Sequence, residues 1–291
     1  MRGFKISEAD AGKRADIFVT SKYPRFTRSS LGLLFDRHLV DINGQVAKPS
    51  TKIHVGDKLT IDDECLKANA SPPDVTILYE DNDVIVMDKP AGVLTHSKGA
   101  LNLEGTVASF IKAKIDMKEL SGNRAGIVHR LDRATSGVII AAKNAAALAK
   151  LQKQFSHRKV KKEYLAVVEG RPTPEAAIID APIIRNPANP QTFKVDSKGR
   201  PALTEYETLR HFSREGKDYS ILSLKPTTGR THQLRVHMAY IKHPIVGDPV
   251  YGNGGQSMLL HASRLEITLP EGTRRGFIAP MPKRIKEFTG V

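Results

Sequence analysis

The spacing of apolar positions predicts a small unit at the start of the chain. Two stretches, Arg14–Lys22 and Thr27–Arg37, repeat their apolar residues with the helical period. A hairpin-like stretch follows, in which Leu39–Val46 and Ile53–Ile61 are interrupted by turn residues. The next stretch, Lys67–Asp74, is polar, contains a Pro-Pro pair and has no periodicity, which is typical of a linker.

The pattern after this linker contains more strands than helices. The predicted strands are Val75–Tyr79, Val84–Asp88, Val138–Ala142, Glu163–Glu169, Leu203–Arg210, Tyr219–Lys225 and Leu259–Leu269. The predicted helices are Thr106–Ile115, Asn144–His157 and Thr231–Lys242, with Asn144 and Thr231 as N-caps. Several successive strands with few helices predict an α+β fold on a mixed or mostly antiparallel sheet with flanking helices.

These patterns predict two domains. We expect a small α/β domain over residues 1–66, a linker over residues 67–74 and a larger domain over residues 75–291. No stretch approaches the roughly 18 uninterrupted apolar residues of a membrane helix. We therefore expect a protein that is kept in the cytoplasm and has no membrane partner. The single cysteine, Cys65, has no partner for a disulfide or a zinc ribbon, which fits a reducing compartment.

The balance of charge points to a polyanionic partner. The chain has 45 Lys and Arg against 31 Asp and Glu, a formal net charge of +14. Such an excess favours phosphate-rich partners because each neutralised phosphate releases counterions, although charge alone does not choose between RNA, DNA and an anionic membrane. Basic residues concentrate on the helical part of the first domain, where the plainer interpretation is a solvated helix face. The candidate contacts there are Lys13, Arg14, Arg28 and Arg37.

Asp132 lies in the densest cluster of reactive side chains, Gly126–Gly137 (GIVHRLDRATSG). It stands between Arg130 and Arg133, and neighbouring cations would lower the pKa of a carboxylate and keep it ionised, as a nucleophile or a base requires. The local alternative is that Asp132 caps an ordinary turn.

Two further clusters hold candidate binding groups. In Val160–Gly170, Tyr164 lies on one face of a predicted strand beside several lysines; it is either a core residue or a platform on which a nucleobase stacks. In Thr228–Met238, Arg230 stands where a strand is predicted to turn into a helix. There it is either a surface residue or a clamp for a carboxylate or a phosphate.

Other chemistries find little support in the sequence. There is no HExxH motif, and His232 and His237 are spaced wrongly for two metal ligands on one helical face. Ser136 lacks the glycine pattern of a nucleophile elbow, and there is no GxxxxGK[ST] phosphate loop.

Read together and in order, the three clusters resemble the motifs of one enzyme family. Gly126–Gly137 resembles the HRLD-x-x-TSG signature of the RluA family of RNA pseudouridine synthases, and Lys162–Ala166 and Gly229–His237 are similar to its second and third motifs. Asp88–Gly92 is similar to the family's NKPAG, with Asp in place of Asn. Lys13–Asp62 is similar to the alpha-L RNA-binding domain of the ribosomal protein S-four type.

The resemblance implies roles for individual residues. Asp132 would attack the target uridine, Arg230 would pair with Asp132 and hold it oriented, and Tyr164 would stack on the target base. The expected substrate contacts are Arg130, Leu234, His129 and Lys162. The four basic residues of the first domain would contact RNA. Because uridine and pseudouridine are isomers, we expect neither a metal nor an organic cofactor.

The resemblance also implies a partner and leaves alternatives open. We expect RNA as the partner, with large-subunit ribosomal RNA favoured over transfer RNA, and a monomer by default. The first alternative is a non-catalytic RNA-binding or ribosome-assembly protein of the same fold. The second is a hydrolase or glycosylase with an aspartate nucleophile, which would release free uracil.

Overall fold

The chain folds into two compact units. The computed structural model describes residues 1–67, 71–97, 104–115, 119–120, 122, 124–255 and 257–290. One unit comprises Met1–Pro73 with His96–Ser109, and the other comprises Asp74–Thr95 with Phe110–Val291. Part of the predicted linker, residues 68–70, lies outside the described residues. Among the residues described, no helix is long and apolar enough to cross a membrane.

The first unit is built on a four-stranded antiparallel sheet in the order β1-β4-β2-β3. Its elements are β1 (Arg2–Lys5), α1 (Ala15–Lys22), α2 (Arg28–Asp36), β2 (Val40–Ile42), β3 (Gln45–Val46), β4 (Lys58–Ile61) and α3 (Glu64–Lys67). Helix α2 starts where predicted because the Thr27 hydroxyl accepts a hydrogen bond from the backbone of Ser30 at 3.2 Å. Phe18, Leu34 and Leu59 are fully buried in one core between the helices and the sheet.

The second unit contains most of the strands. They are β5 (Thr76–Glu80), β6 (Val84–Lys89), β7 (Ser136–Ala142), β8 (Lys161–Glu169), β9 (Ala176–Asp180), β10 (Ile183–Arg185), β11 (Phe193–Val195), β12 (Leu203–Arg214), β13 (Lys217–Pro226), β14 (Leu260–Thr268) and β15 (Arg274–Ile278). In the described residues the remaining α-helices are α4 (Val107–Ile111), α5 (Ala145–Ser156), α6 (Gln233–Tyr240) and α7 (Lys283–Thr289), and a short 3-10 helix, Lys112–Lys114, follows α4. This arrangement confirms the predicted α+β fold.

One nine-stranded sheet organises this unit. Its order is β5-β6-β7-β14-β8-β13-β12-β9, with β15 paired to β14, while β10 and β11 form a separate pair. Every neighbouring pair is antiparallel except β7 and β14, which run parallel. These two strands come so close that a Cβ on Gly137 would lie 2.2 Å from the carbonyl oxygen of Ala262. Only glycine fits at that position.

Helix α5 covers part of this sheet and confirms the predicted cap. The Asn144 side chain accepts a hydrogen bond from the backbone of Ala147 at 2.9 Å. Ala147 and Leu151 are buried in the same core as Val138 and Leu265. The helix therefore packs on the centre of the sheet, beside the strands that carry the candidate site.

Candidate active site

Asp132 lies in the loop that leads into β7, and hydrogen bonds hold this loop in place. The backbone N–H of Thr135 donates to the carbonyl of Asp132 at 3.1 Å. The buried hydroxyl of Thr95 donates to the carbonyl of Leu131 at 2.9 Å and accepts from its N–H at 3.2 Å. Leu131, the residue before Asp132, is therefore held through both its N–H and its carbonyl.

Lys89, at the end of β6, supports the same loop from within the core. Its side chain is fully buried, and Nζ donates to three backbone carbonyls, those of Pro90 at 2.9 Å, Val93 at 2.8 Å and Arg133 at 3.3 Å. Burial lowers the pKa of Lys89 to about 7. The three acceptors bind two loops to one nitrogen, so Lys89 joins the Lys89–Val93 turn to the Asp132 loop.

Replacing Lys89 by methionine is expected to destabilise the fold. Three buried carbonyls would lose their donor, and hydrogen bonds to a charged group are each worth roughly 1.5–3 kcal/mol. Partial repacking would reduce the loss, so we expect the free energy of unfolding to fall by about 2–4 kcal/mol. Urea unfolding measures it, with the exposed Lys112→Met as the control. Equal unfolding midpoints for the two variants would contradict the role assigned to Lys89.

Among the described residues, the cation that pairs with the catalytic candidate is Arg235, which lies on α6. Its Nη1 is 3.6 Å from Oδ2 of Asp132. The same guanidinium forms two hydrogen bonds, of 2.7 and 2.6 Å, with the carboxylate of Asp248, and both side chains are buried. Asp248 therefore fixes the plane of Arg235, and Arg235 extends the pair to Asp132.

The structure does not form the expected ion pair between Arg230 and Asp132. Nε of Arg230 instead donates to the backbone carbonyl of Pro201 at 3.0 Å. In the described part of the chain, Arg235 forms the ion pair with Asp132 within 4.0 Å, and the imidazole of His232 also lies within that distance. Arg230 still lines the cavity around Asp132, so it remains a candidate for contact with a substrate.

The start of α6 explains this difference. Thr231 was predicted to cap the helix, but the N-cap is His232, in a left-handed conformation with φ 57°, and the helix begins at Gln233. Oε1 of Gln233 accepts from the backbone N–H of Arg230 at 3.0 Å, and its Nε2 donates to Leu203 O at 3.0 Å. The N-cap thus lies one residue later than predicted, and Arg235 points at the carboxylate.

His232 is held in one orientation by Tyr251. The Tyr251 hydroxyl accepts from the backbone N–H of Phe193 at 2.9 Å and lies 2.9 Å from Nδ1 of His232. The hydroxyl hydrogen can therefore donate to Nδ1, which places the imidazole hydrogen on Nε2. That nitrogen faces Oδ2 of Asp132 at 3.9 Å. Burial lowers the pKa of His232, which favours this neutral form.

A cavity of about 120 Å³ opens in front of Asp132. The predicted site residues that line it are Arg130, Asp132, Lys162, Tyr164, Arg230 and Leu234. Tyr164 reaches the cavity from β8, and its pKa is raised first by burial and then by the charge of Asp132. The phenol therefore stays protonated and presents a neutral aromatic ring beside the carboxylate.

His129 belongs to a neighbouring cavity, beside the one around Asp132. Its Nε2 accepts from the backbone N–H of Ile140 at 3.2 Å, and its ring stacks on Phe155 with centroids 4.6 Å apart. Burial lowers the pKa of His129 to about 3, so the ring is neutral. These contacts give His129 a structural role in holding the segment before Asp132.

The basic candidates of the first unit fall into two groups. Arg14 and Arg28 both donate to the carboxylate of Asp16, at 2.9 and 2.8 Å through their Nη2 atoms. Asp16 is only 7% exposed, and because Arg28 lies in α2 and Asp16 in α1, Arg28 also joins the two helices. Lys13 pairs with Asp10 at 2.6 Å, and Arg37 is exposed at the end of α2.

Sequence reasoning missed five residues of this arrangement, namely Lys89, His232, Arg235, Asp248 and Tyr251. Arg235 lay inside the third motif, but the helix start was placed too early for it to be chosen. Asp248 and Tyr251 lie in Gly247–Gly252, a segment that is similar to the family pattern but whose residues were given no role. Their pairing with Arg235 and His232 depends on the tertiary fold, and nothing in their spacing indicates it.

Comparisons with known proteins agree with this geometry. Residues 83–240 match the family model described as RNA pseudouridylate synthase. The chain is 38% identical to ribosomal large subunit pseudouridine synthase D of Borreliella burgdorferi over 94% of this chain and 88% of that protein. It is 35% identical to the Escherichia coli K12 protein of the same name over 98% of this chain and 92% of that protein.

A solved structure also matches most of this chain. It is that of human RNA pseudouridylate synthase domain containing 1, which superposes with a TM-score of 0.60 at 30% identity. The match covers 73% of this chain and 86% of the human one. A chain with these motifs, this sheet and this aspartate-centred cavity belongs to the RNA pseudouridine synthase family of the RluA and RluD type.

Proposed function

We propose that this protein converts specific uridines of large-subunit ribosomal RNA into pseudouridine, with Asp132 as the catalytic carboxylate. The observation that carries the proposal is the position of Asp132 at a cavity beside Tyr164, with Arg235 at 3.6 Å. The choice of ribosomal RNA is supported by the names of the relatives, several of which are large-subunit synthases.

The chemistry fits the residues around the cavity. A target nucleotide must leave its stack, at a cost of a few kcal/mol, before its base can reach a pocket. The Tyr164 ring supplies a stacking surface and the surrounding cations attract the phosphates, so both offset that cost. Asp132 attacks the nucleotide and the N1–C1′ bond breaks; the uracil then turns and bonds to C1′ through C5, Asp132 is released, and the proton on C5 passes to solvent. Arg235 stabilises the carboxylate in its charged form before the attack and after the release.

The experiment that tests the function is pseudouridine mapping in total RNA. Cells with the intact gene, with a deletion, and with Asp132→Asn in place of the wild type are compared by carbodiimide-stop sequencing. We expect a set of pseudouridine sites in large-subunit ribosomal RNA to disappear from both altered strains. Sites confined to transfer RNA would overturn the choice of substrate, and free uracil accumulating with purified protein would indicate a glycosylase.

We further propose that the first unit anchors the RNA electrostatically. Arg14 and Arg28 are poor test positions because their loss would leave the buried Asp16 without partners. We expect the double variant Lys13→Gln, Arg37→Gln to keep its fold and to bind RNA more weakly. The slope of log K against log salt should become shallower by roughly 0.7–0.9 for each phosphate that the variant no longer neutralises.

The control removes the same charge from the second unit. Lys153→Gln with Lys286→Gln changes two exposed lysines on α5 and α7. Fluorescence anisotropy over a salt series measures both variants on the same large-subunit ribosomal RNA fragment. If the two double variants gave equal affinities and slopes, the first unit would not be the anchor proposed here.

A further inference from the structure

A second cavity, of about 390 Å³, opens beside the one around Asp132; we call it the flanking cavity. The two cavities share part of their lining, including Arg130, Lys162, Tyr164 and Arg230. The rest of the flanking cavity is formed largely by the end of α5 and the turn into β8. The residues there are Phe155, Ser156, Arg158 and Val160. A polymer that places one unit at Asp132 could therefore place the adjoining unit here.

The lining of the flanking cavity carries positive charge only. It contains Arg130, Arg158, Lys162 and Arg230, and no acidic residue among the described residues that form it. None of these four side chains takes part in an ion pair within 4.0 Å in the described part of the chain. Unpaired cations around a concave surface concentrate field and attract anions.

Lys162 gives the clearest indication of an anion site. Its side chain is half-buried, and its Nζ donates to one protein acceptor, the carbonyl of Thr228, at 3.1 Å. An ammonium has three hydrogens to donate, and removing it from water without a counter-charge is unfavourable. Burial lowers the pKa of Lys162 to about 8, in keeping with a cation that no carboxylate stabilises. A bound phosphate would supply the charge that the protein does not.

The flanking cavity also has an aromatic side. Phe155 and His129 stack at 4.6 Å with their planes 18° apart, and both line the cavity. Because His129 is neutral, this pair offers flat, uncharged surface next to the cations. Cations that follow a backbone combined with aromatic faces for bases are the usual composition of sites for single-stranded nucleic acid.

A third cavity, of about 500 Å³, shows that this composition is not general on this surface. It borders the flanking cavity at Arg158 and Lys162, but it also contains Glu163, Glu205 and Glu266. One of these carboxylates, Glu266, pairs with both Lys161 at 3.7 Å and Arg264 at 3.3 Å. Its cations are therefore partly neutralised, whereas those of the flanking cavity are not.

We propose that the flanking cavity binds the nucleotide adjoining the target uridine, with Lys162 and Arg158 contacting its phosphodiester and the Phe155 side accommodating its base. This inference rests on the proposed function, because it takes the target uridine to lie at Asp132. The subsite would hold a nucleotide that is not itself converted. The phosphodiester next to the target in a single strand should therefore contribute to affinity.

The test compares salt-dependent binding of an oligouridylate strand to the full-length protein and to Lys162→Gln and Arg158→Gln. Each variant should weaken binding and make the slope of log K against log salt shallower by about 0.7, the value for one phosphate contact on a single strand. A strand with neutral methylphosphonate linkages should bind the wild type and Lys162→Gln equally. Phe155→Leu, which keeps an apolar side chain in the core, should weaken binding without changing the slope.

The control is Lys286→Gln, which removes one exposed charge on α7, away from the cavities described above. If Lys162→Gln and Arg158→Gln matched this control in affinity and slope, the subsite would be wrong. Pseudouridine formation is measured separately on ribosomal RNA from the deletion strain. A wild type that binds the strand but forms no pseudouridine would overturn the proposed function and leave the anion site standing.

Discussion

Asp132→Asn is expected to lower pseudouridine formation to the uncatalysed background while RNA affinity stays within a few fold. The amide is nearly the same size as the carboxylate but is not a nucleophile, so the covalent step is lost and the shape of the cavity is kept. The loop should keep its place, because its contacts to Thr95 and Lys89 run through backbone atoms of the neighbouring residues. Single-turnover assays on RNA from the deletion strain measure the rate, and anisotropy measures the affinity.

A matched control for this variant is Asp88→Asn. Asp88 lies in the same unit, is half-buried in β6, and occupies the position where the family resemblance has asparagine. The Asp88→Asn substitution removes one negative charge, as Asp132→Asn does. We expect this variant to keep a rate of pseudouridine formation within a few fold of the wild type. Near-normal turnover in Asp132→Asn would remove that residue from the mechanism. A comparable loss in both variants would attribute the effect to charge, not to a nucleophile.

Arg235→Lys is expected to lower kcat by roughly 10²-fold, the order seen when one charge-stabilising donor is removed from an active site. Lysine keeps a positive charge opposite the buried Asp248, so the fold should be retained. It cannot form both hydrogen bonds to that carboxylate, and it cannot hold a nitrogen in the same plane near Asp132. The result should therefore appear in kcat, with a small change in KM.

Arg230→Lys provides the contrast, because the resemblance assigned the pairing role to that residue. Its guanidinium contacts the Pro201 carbonyl and faces both cavities, so its replacement should raise KM and change kcat by no more than a few fold. The opposite pattern, with Arg230→Lys lowering kcat and Arg235→Lys leaving it intact, would restore the original assignment. Unfolding midpoints for both variants separate loss of stability from loss of catalysis.

Local periodicity was sufficient to predict much of this fold. The α5 helix has a clear apolar face and a capping Asn144, and β6, β7 and β8 have long apolar runs, so each was predicted within a few residues. The strands that were missed are short or lie at edges. An example is β9, whose partner along the sheet is β12 alone, so that tertiary pairing and not pattern determines it.

The site was predicted in part for the same reason. Asp132 and Tyr164 are specified by their motifs, and both line the expected cavity. Arg235 was not chosen, because its role depends on a left-handed residue at the helix start, a conformation that is uncommon outside glycine and that no local sequence pattern indicates. Asp248 and Tyr251 act through contacts with Arg235 and His232, 13 and 19 residues away along the chain, and such contacts are set by packing.

The parallel pairing of β7 with β14 has a consequence for biosynthesis. Strand β14 lies between β7, which follows the Asp132 loop, and β8, which carries Tyr164. Strands β7 and β8 therefore share no backbone hydrogen bonds with each other. A nascent chain that has already emerged with all three family motifs still lacks the strand that joins them. The catalytic pocket can therefore assemble only late in translation, and a product released before residue 260 would contain every motif residue yet have no working active site.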